Sequence, residues 1–235
     1  LVSADVTPAD AIPGAASAGT GAEPLWTPGP ERIAATQIDA FRRAVGVDGG
    51  YRELHRWSVD HPLDFWQAVW SHLGVVGDPG STVVDRDGAS HLTGTRWFPN
   101  GCLNFAENLL GAADDRPALV FRGEDPALAG GRRTLTRRDL HALVSRLQQA
   151  LLEMGVEPGD RVAAWLPNVP ETCAVMLAAA SIGATFSSTS PDFGASGVID
   201  RFGQIRPVVL FTTDGYRYGG RRHDVTGRLA EVAAA

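Results

Sequence analysis

A chain of 235 residues, 44% hydrophobic and 20% charged with a net charge of -6, can form one large domain or two small ones and bury roughly 70–75% of its unfolded surface. This acidity argues against a general surface for nucleic acid or anionic membrane. All 21 basic residues are arginine, which excludes any mechanism completed within the chain by a P-loop lysine, a Schiff-base lysine or a lysine that stabilises a transferring acyl or phosphoryl group.

Residues 1–24 are rich in Ala, Gly, Pro, Ser and Thr with hardly any large apolar side chains. They are expected to form a flexible leader, because little burial offsets the entropy of ordering them. After Thr27-Pro-Gly-Pro30, the spacing of Ile33, Ile38, Phe41 and Val45 predicts one short docking helix before Gly46. Asp60 then stands as an N-cap with Pro62 in the first turn, and Leu63, Trp66, Val69, Trp70 and Leu73 form a stripe expected to pack on a core up to Gly74. A base-stacking surface is disfavoured there, since no basic residue lies between Arg56 and Arg86 to meet phosphate.

From Trp97 the sequence passes from a turn into a helix, with Asn104 as N-cap and Glu107 at the third helical position. Residues 118–121 read as a strand and 122–133 as a polar loop or hairpin. Thr136 and Asp139 make a capping-box start for a helix whose face carries Leu140, Leu143, Val144, Leu147, Leu151 and Met154, ending at Gly155. Alternating units follow: strand 162–166, helix 170–182, strand 184–187, helix 195–204 and strand 208–212. Connections this short predict a parallel, helix-flanked α/β sheet with right-handed crossovers. No obvious closing element follows before Ala235.

Such sheets bind ligands beyond the C-terminal ends of their strands. Three segments are expected there: Pro167-Asn168, the Ser/Thr-rich run from Ser187 to Gly194, and the arginine-glycine loop from Asp214 to Arg222. The first has no G-x-G-x-x-G, which argues against a dinucleotide-binding fold. The second can bind a polar ligand, or cap the following helix through Asp192 or Ser196. No Gly-x-Ser-x-Gly elbow supports a hydrolase. In the third, Arg217, Arg221 and Arg222 flank Gly219-Gly220, where backbone amides and guanidinium groups can grip phosphate, or the loop is simply solvated.

Cys102 and Cys173 lack the spacing of a disulfide framework or zinc site, and Cys173, on an apolar helical pattern, is expected in the core. The histidines, at 55, 61, 72, 91, 141 and 223, lack metal-ligand spacing, and Asp85, Asp87, Asp114 and Asp115 read as turn residues. No metal site is expected. No stretch of eighteen apolar residues and no secretory signal pattern occurs, so the cytoplasm is the expected location.

Several segments together resemble the adenylate-forming acyl-CoA synthetases. They are Tyr51-Arg-Glu-Leu-His-Arg-Trp-Ser58 with Phe65-Trp66, the run Trp97-Phe-Pro-Asn-Gly-Cys-Leu-Asn-Phe-Ala-Glu-Asn-Leu-Leu110, Pro158-Gly-Asp-Arg-Val162, Ser190-Pro-Asp-Phe-Gly194, Asp200-Arg-Phe-Gly-Gln204 and Asp214-Gly-Tyr-Arg-Tyr218. The Ser-Pro-Asp-Phe-Gly segment is similar to the branch that acts on acetoacetate. The resemblance implies a helical N-terminal cap over residues 25–110 and the first part of the adenylate-forming domain over 111–235.

It also implies a two-step activity, in which a carboxylate attacks Mg-ATP to give an acyl-adenylate and pyrophosphate, and CoA then displaces AMP. The cofactors implied are ATP, CoA and Mg2+, and the substrate is acetoacetate or another short carboxylate. The phosphate loop and late catalytic lysine of that family are not in this sequence, so the chain is expected to need a further C-terminal part and to be inactive alone. No catalytic residue is carried over. Gly219, Gly220 and Arg221 match a Gly-Gly-Arg loop that contacts CoA phosphates in acetate-type relatives, although Tyr218 stands where those relatives have another arginine. A non-catalytic CoA-binding or interaction module, and an acetate- or propionate-type synthetase, are the alternatives.

Overall fold

The computed structural model describes residues 25–86, 94–124 and 131–234. The expected leader, Asp87, His91 and the middle of the expected 122–133 loop lie outside the described residues. The chain divides into two compact units, one ending at Ala68 and the other starting at Val69.

The first unit is helical. Helices α1 (Pro30–Ala34), α2 (Gln37–Ala44) and α3 (Tyr51–Asp60) precede α4 (Pro62–His72), which crosses into the second unit. The single helix expected around Ile33–Val45 is therefore two. Thr36 interrupts it with an extended backbone, its hydroxyl accepting the Asp39 N–H at 3.2 Å and donating to the Ile33 carbonyl at 2.7 Å. That is the N-cap arrangement that favours a fresh helix start.

Asp60 is the last residue of α3 rather than an N-cap. The start of α3 is fixed locally, with the Gly50 N–H donating to the Glu53 carboxylate at 2.8 Å. Phe41 is buried and meets Trp57 and Phe65 at ring separations of 6.5 and 5.9 Å. The α4 stripe packs only in part: Val69 and Trp70 are half-buried, Trp70 meeting Phe98 at 4.9 Å, whereas Leu63, Trp66 and Leu73 are 43%, 42% and 68% exposed. The side of α4 that meets α2 and α3 carries Phe65 instead, against Phe41 and Trp57 at 5.9 and 6.2 Å.

The second unit opens with four short strands that the sequence did not announce. β1 (Gly77–Asp78) pairs with β4 (Cys102–Leu103), and β2 (Val84–Arg86) with β3 (Thr95–Trp97), both antiparallel. Helix α5 (Phe105–Leu110) starts where expected, Asn104 Oδ1 accepting the Glu107 N–H at 3.1 Å. The Asn104 amide nitrogen also donates to the Ala180 and Ser181 carbonyls at 3.3 and 3.1 Å. One side chain thus satisfies orphan groups at the start of one helix and the end of another.

An antiparallel pair follows, β5 (Pro117–Arg122) and β6 (Arg132–Thr136), which agrees with the hairpin alternative for residues 122–133. Helix α6 (Arg137–Glu153) carries the expected capping box, with Thr136 Oγ1 accepting the Asp139 N–H at 3.1 Å and the Asp139 carboxylate accepting the Thr136 N–H at 2.9 Å.

The alternating units form as expected: β7 (Arg161–Trp165), α7 (Pro170–Ser181), β8 (Thr185–Thr189), α8 (Ala195–Ile205) and β9 (Val209–Thr212). The strand order is β8-β7-β9 and all pairs are parallel. With β7 central, Val162, Ala163, Ala164 and Trp165 are fully buried.

Strand alternation sends Val162 toward one core, with Leu151 of α6 and Ala174, Leu177 and Ala178 of α7. Ala163 and Trp165 point to a second core with Val198 and Phe202 of α8. The sheet is therefore covered by helices on both faces. After the hairpin region, helix α9 (Thr226–Ala233) lays Leu229 and Val232 against this second core. Arg161 secures the end of α8 by donating to the Ile205 and Arg206 carbonyls at 2.9 Å each.

Candidate functional site

The three segments expected beyond the C-terminal ends of the strands converge on one groove of about 550 Å³. Pro167 and Asn168 follow β7, Ser190 to Asp192 follow β8, and Tyr216 to Tyr218 form the third wall. That volume lies within the usual range for small-molecule sites. The sequence did not indicate the fourth wall, made by the end of β5 with Arg133 of β6 and Glu171 of α7.

Each wall is held by its own hydrogen bonds. The Trp165 indole N–H donates to the Ser190 carbonyl at 3.2 Å, tying the β8 loop to the buried strand. The Thr172 hydroxyl donates to the Pro167 carbonyl at 2.8 Å. Asp192 accepts from the Ser190 hydroxyl at 3.0 Å and the Tyr216 hydroxyl at 2.8 Å. Because its carboxylate is used this way, Asp192 does not cap α8. Ser196 does not either, and the N-cap position is Gly194, which has no side chain to offer.

Burial and the hydrogen bond to Asp192 push the Tyr216 phenol above its ordinary pKa. Across the groove Arg133 pairs with Glu171 at 2.7 Å, and this hydrogen bond holds the Glu171 carboxyl below the ordinary glutamate range. The Arg133 Nε is buried without a hydrogen-bond partner.

The expected arginine-glycine loop is a β-hairpin. β10 (Gly215–Tyr218) pairs antiparallel with β11 (Arg221–Asp224), Tyr218 opposite Arg221. Gly219 and Gly220 make the two-residue turn with φ of +60° and +72°. Positive φ at both central positions is the tight-hairpin geometry that glycine adopts without steric cost. Tyr216 stacks on His223 at 4.9 Å, and Arg222 pairs with Asp214 at 3.3 Å.

Arg221 is exposed, so of the three site residues inferred from sequence, Gly219 and Gly220 form the turn and Arg221 flanks it. Both glycine amides are engaged: the Gly219 and Gly220 N–H groups donate to the Glu124 carboxylate at 3.2 and 2.8 Å. Sequence reasoning missed Glu124 entirely.

Other chemistry is sparse. Cys102 is exposed and Cys173 half-buried rather than enclosed, both as free thiols. Among the described residues no three or more His, Cys, Asp and Glu side chains gather to hold a metal, and no helix is long and apolar enough to cross a membrane.

The chain is 47% identical over 216 residues to the acetoacetyl-coenzyme A synthetase of Rhizobium meliloti, an alignment covering 89% of this chain and 32% of that protein. It is 38% identical to the acetoacetyl-CoA synthetase of Macaca fascicularis over 88% of this chain and 31% of the relative. The solved acetoacetyl-CoA synthetase of Streptomyces lividans superposes with a TM-score of 0.81 at 40% identity, over 91% of this chain and 33% of that one. The chain thus spans about a third of the length of the relatives it matches.

That superposition shows the α/β architecture to be the N-terminal part of the adenylate-forming enzyme fold. Residues 51–109 match the acetyl-coenzyme A synthetase N-terminus. Residues 106–234, more than half of the chain and including the whole parallel sheet and the hairpin, match the AMP-binding enzyme model, and the chain belongs to that family.

Proposed function

We propose that this chain is part of an ATP-dependent acid–thiol ligase that joins acetoacetate to CoA through an acyl-adenylate, and that it contributes the CoA-facing hairpin rather than the adenylating chemistry. In this division residues 25–110 form the cap and 111–235 the first part of the adenylating domain. The observation that carries the reading is the hairpin turn. Gly219 and Gly220 present two adjacent amides to a carboxylate, with Arg221 exposed beside them. Amides and a guanidinium arranged this way suit a phosphate group of CoA.

ATP and Mg2+ act in adenylation, where charge develops on the phosphoryl oxygens. Among the described residues no three or more His, Cys, Asp and Glu side chains gather, so they offer Mg2+ no all-protein cage. The chain has no lysine to stabilise the transferring acyl-phosphoryl group. Acetoacetate as substrate is supported by the names of the relatives.

The purified chain is expected to give no acetoacetate-dependent exchange of pyrophosphate into ATP, measured with labelled pyrophosphate. Exchange above the no-acetoacetate control would overturn this division of labour.

A further inference from the structure

The Gly219-Gly220 turn already holds an anion supplied by the chain itself. Glu124 Oε1 takes the Gly219 N–H at 3.2 Å and Oε2 takes the Gly220 N–H at 2.8 Å, a bidentate grip spanning 95 residues of sequence. The placement of Glu124 follows from the end of the β5–β6 pair. Beyond the last pairing of Arg122 with Arg132, the Gly123 N–H closes on the Gly131 carbonyl at 2.6 Å, and Glu124 comes next on the groove wall.

Local folding does not require this contact. Tyr218 pairs with Arg221 across the turn, so the hairpin is complete without it, and Glu124, Gly219 and Gly220 are all exposed to water. A carboxylate held through two oxygens by two amides offers the same acceptor pattern as two oxygens of a phosphate.

We infer that Glu124 is a built-in competitor for the phosphate-binding turn and sets how strongly Gly219 and Gly220 take up an external phosphate. The inference rests on the CoA reading for its biological ligand but not for its chemistry. A tethered carboxylate competes at an effective concentration on the order of millimolar. A bound phosphate must expel it and also tolerate its negative charge nearby, a repulsion that salt weakens. Removing the carboxylate frees both amides and takes away that charge.

The test is a titration of the whole labelled chain with inorganic phosphate, following the amide signals of Gly219 and Gly220 by nuclear magnetic resonance. Glu124→Ala is expected to lower the phosphate midpoint by about tenfold relative to the parent chain. Glu124→Gln, which keeps one acceptor oxygen but loses the charge, is expected to fall between. Equal midpoints within twofold in all three proteins, or amides that do not respond to phosphate in any of them, overturn the inference.

A parallel titration with CoA separates the two ideas. A midpoint shift with phosphate, together with CoA binding indifferent to Arg221→Ala, leaves the competitor standing and removes CoA as its ligand. CoA binding that depends on Arg221, with unchanged phosphate midpoints, removes the competitor and leaves the CoA reading.

Discussion

Trp165→Ala is expected to lower the unfolding free energy by about 3–5 kcal/mol, or roughly 6–20 °C in midpoint for a chain of this size. Trp165 is fully buried at the end of the central strand, in the core with Val198, Phe202 and Val225. Truncation leaves a cavity between a rigid strand and two helices, which collapse only partly around it.

The same substitution removes the indole N–H that holds the Ser190 carbonyl at 3.2 Å. The Ser190–Asp192 wall and the Asp192–Tyr216 contact should therefore loosen together. Thermal unfolding monitored by circular dichroism gives the first effect, and amide exchange at Asp192 and Phe193 the second. A stability loss under 1 kcal/mol would mean that α8 and α9 do not close over this face as described.

The second large effect is on the other face. Ala178→Leu is expected to cost about 2–3 kcal/mol by overpacking. Ala174, Ala178 and Ala179 are fully buried on α7, in the core that also holds Val144 and Leu151 of α6. These small side chains let α7 lie close to its neighbours, and the three carbons that leucine adds would have to displace them. Denaturant unfolding should show a lower midpoint with an unchanged slope. An unchanged midpoint would show that the face is not closely packed.

The core of the second unit was legible because both of its signals are local. Capping residues such as Thr136 and Asp139, glycines after helices, and short apolar runs between them fix α6 through β9 in the right order. The antiparallel strands were less legible. β6, β10 and β11 carry Arg132, Arg133, Arg217, Arg221 and Arg222 and none of their residues is fully buried, so their sequences look like polar loops.

In the first unit the break at Thr36 was hidden by a continuous apolar spacing, and α3 was missed because Leu54 is its one buried side chain. Most of the groove was legible. Three of its walls follow from the rule about strand ends, whereas the Arg133–Glu171 wall and the seating of Glu124 on the turn depend on pairings across 38 and 95 residues. No local pattern encodes such pairings.

The central claim is that the Gly219-Gly220-Arg221 turn takes a phosphate of CoA, and calorimetric titration of the purified chain with CoA tests it most directly. The account predicts saturable binding that weakens by at least about tenfold in Arg221→Ala, the loss of roughly 1.4 kcal/mol expected for one charge-assisted phosphate contact, with the far-ultraviolet spectrum unchanged. Equal affinity in the two proteins, or no binding by the parent chain, would contradict it.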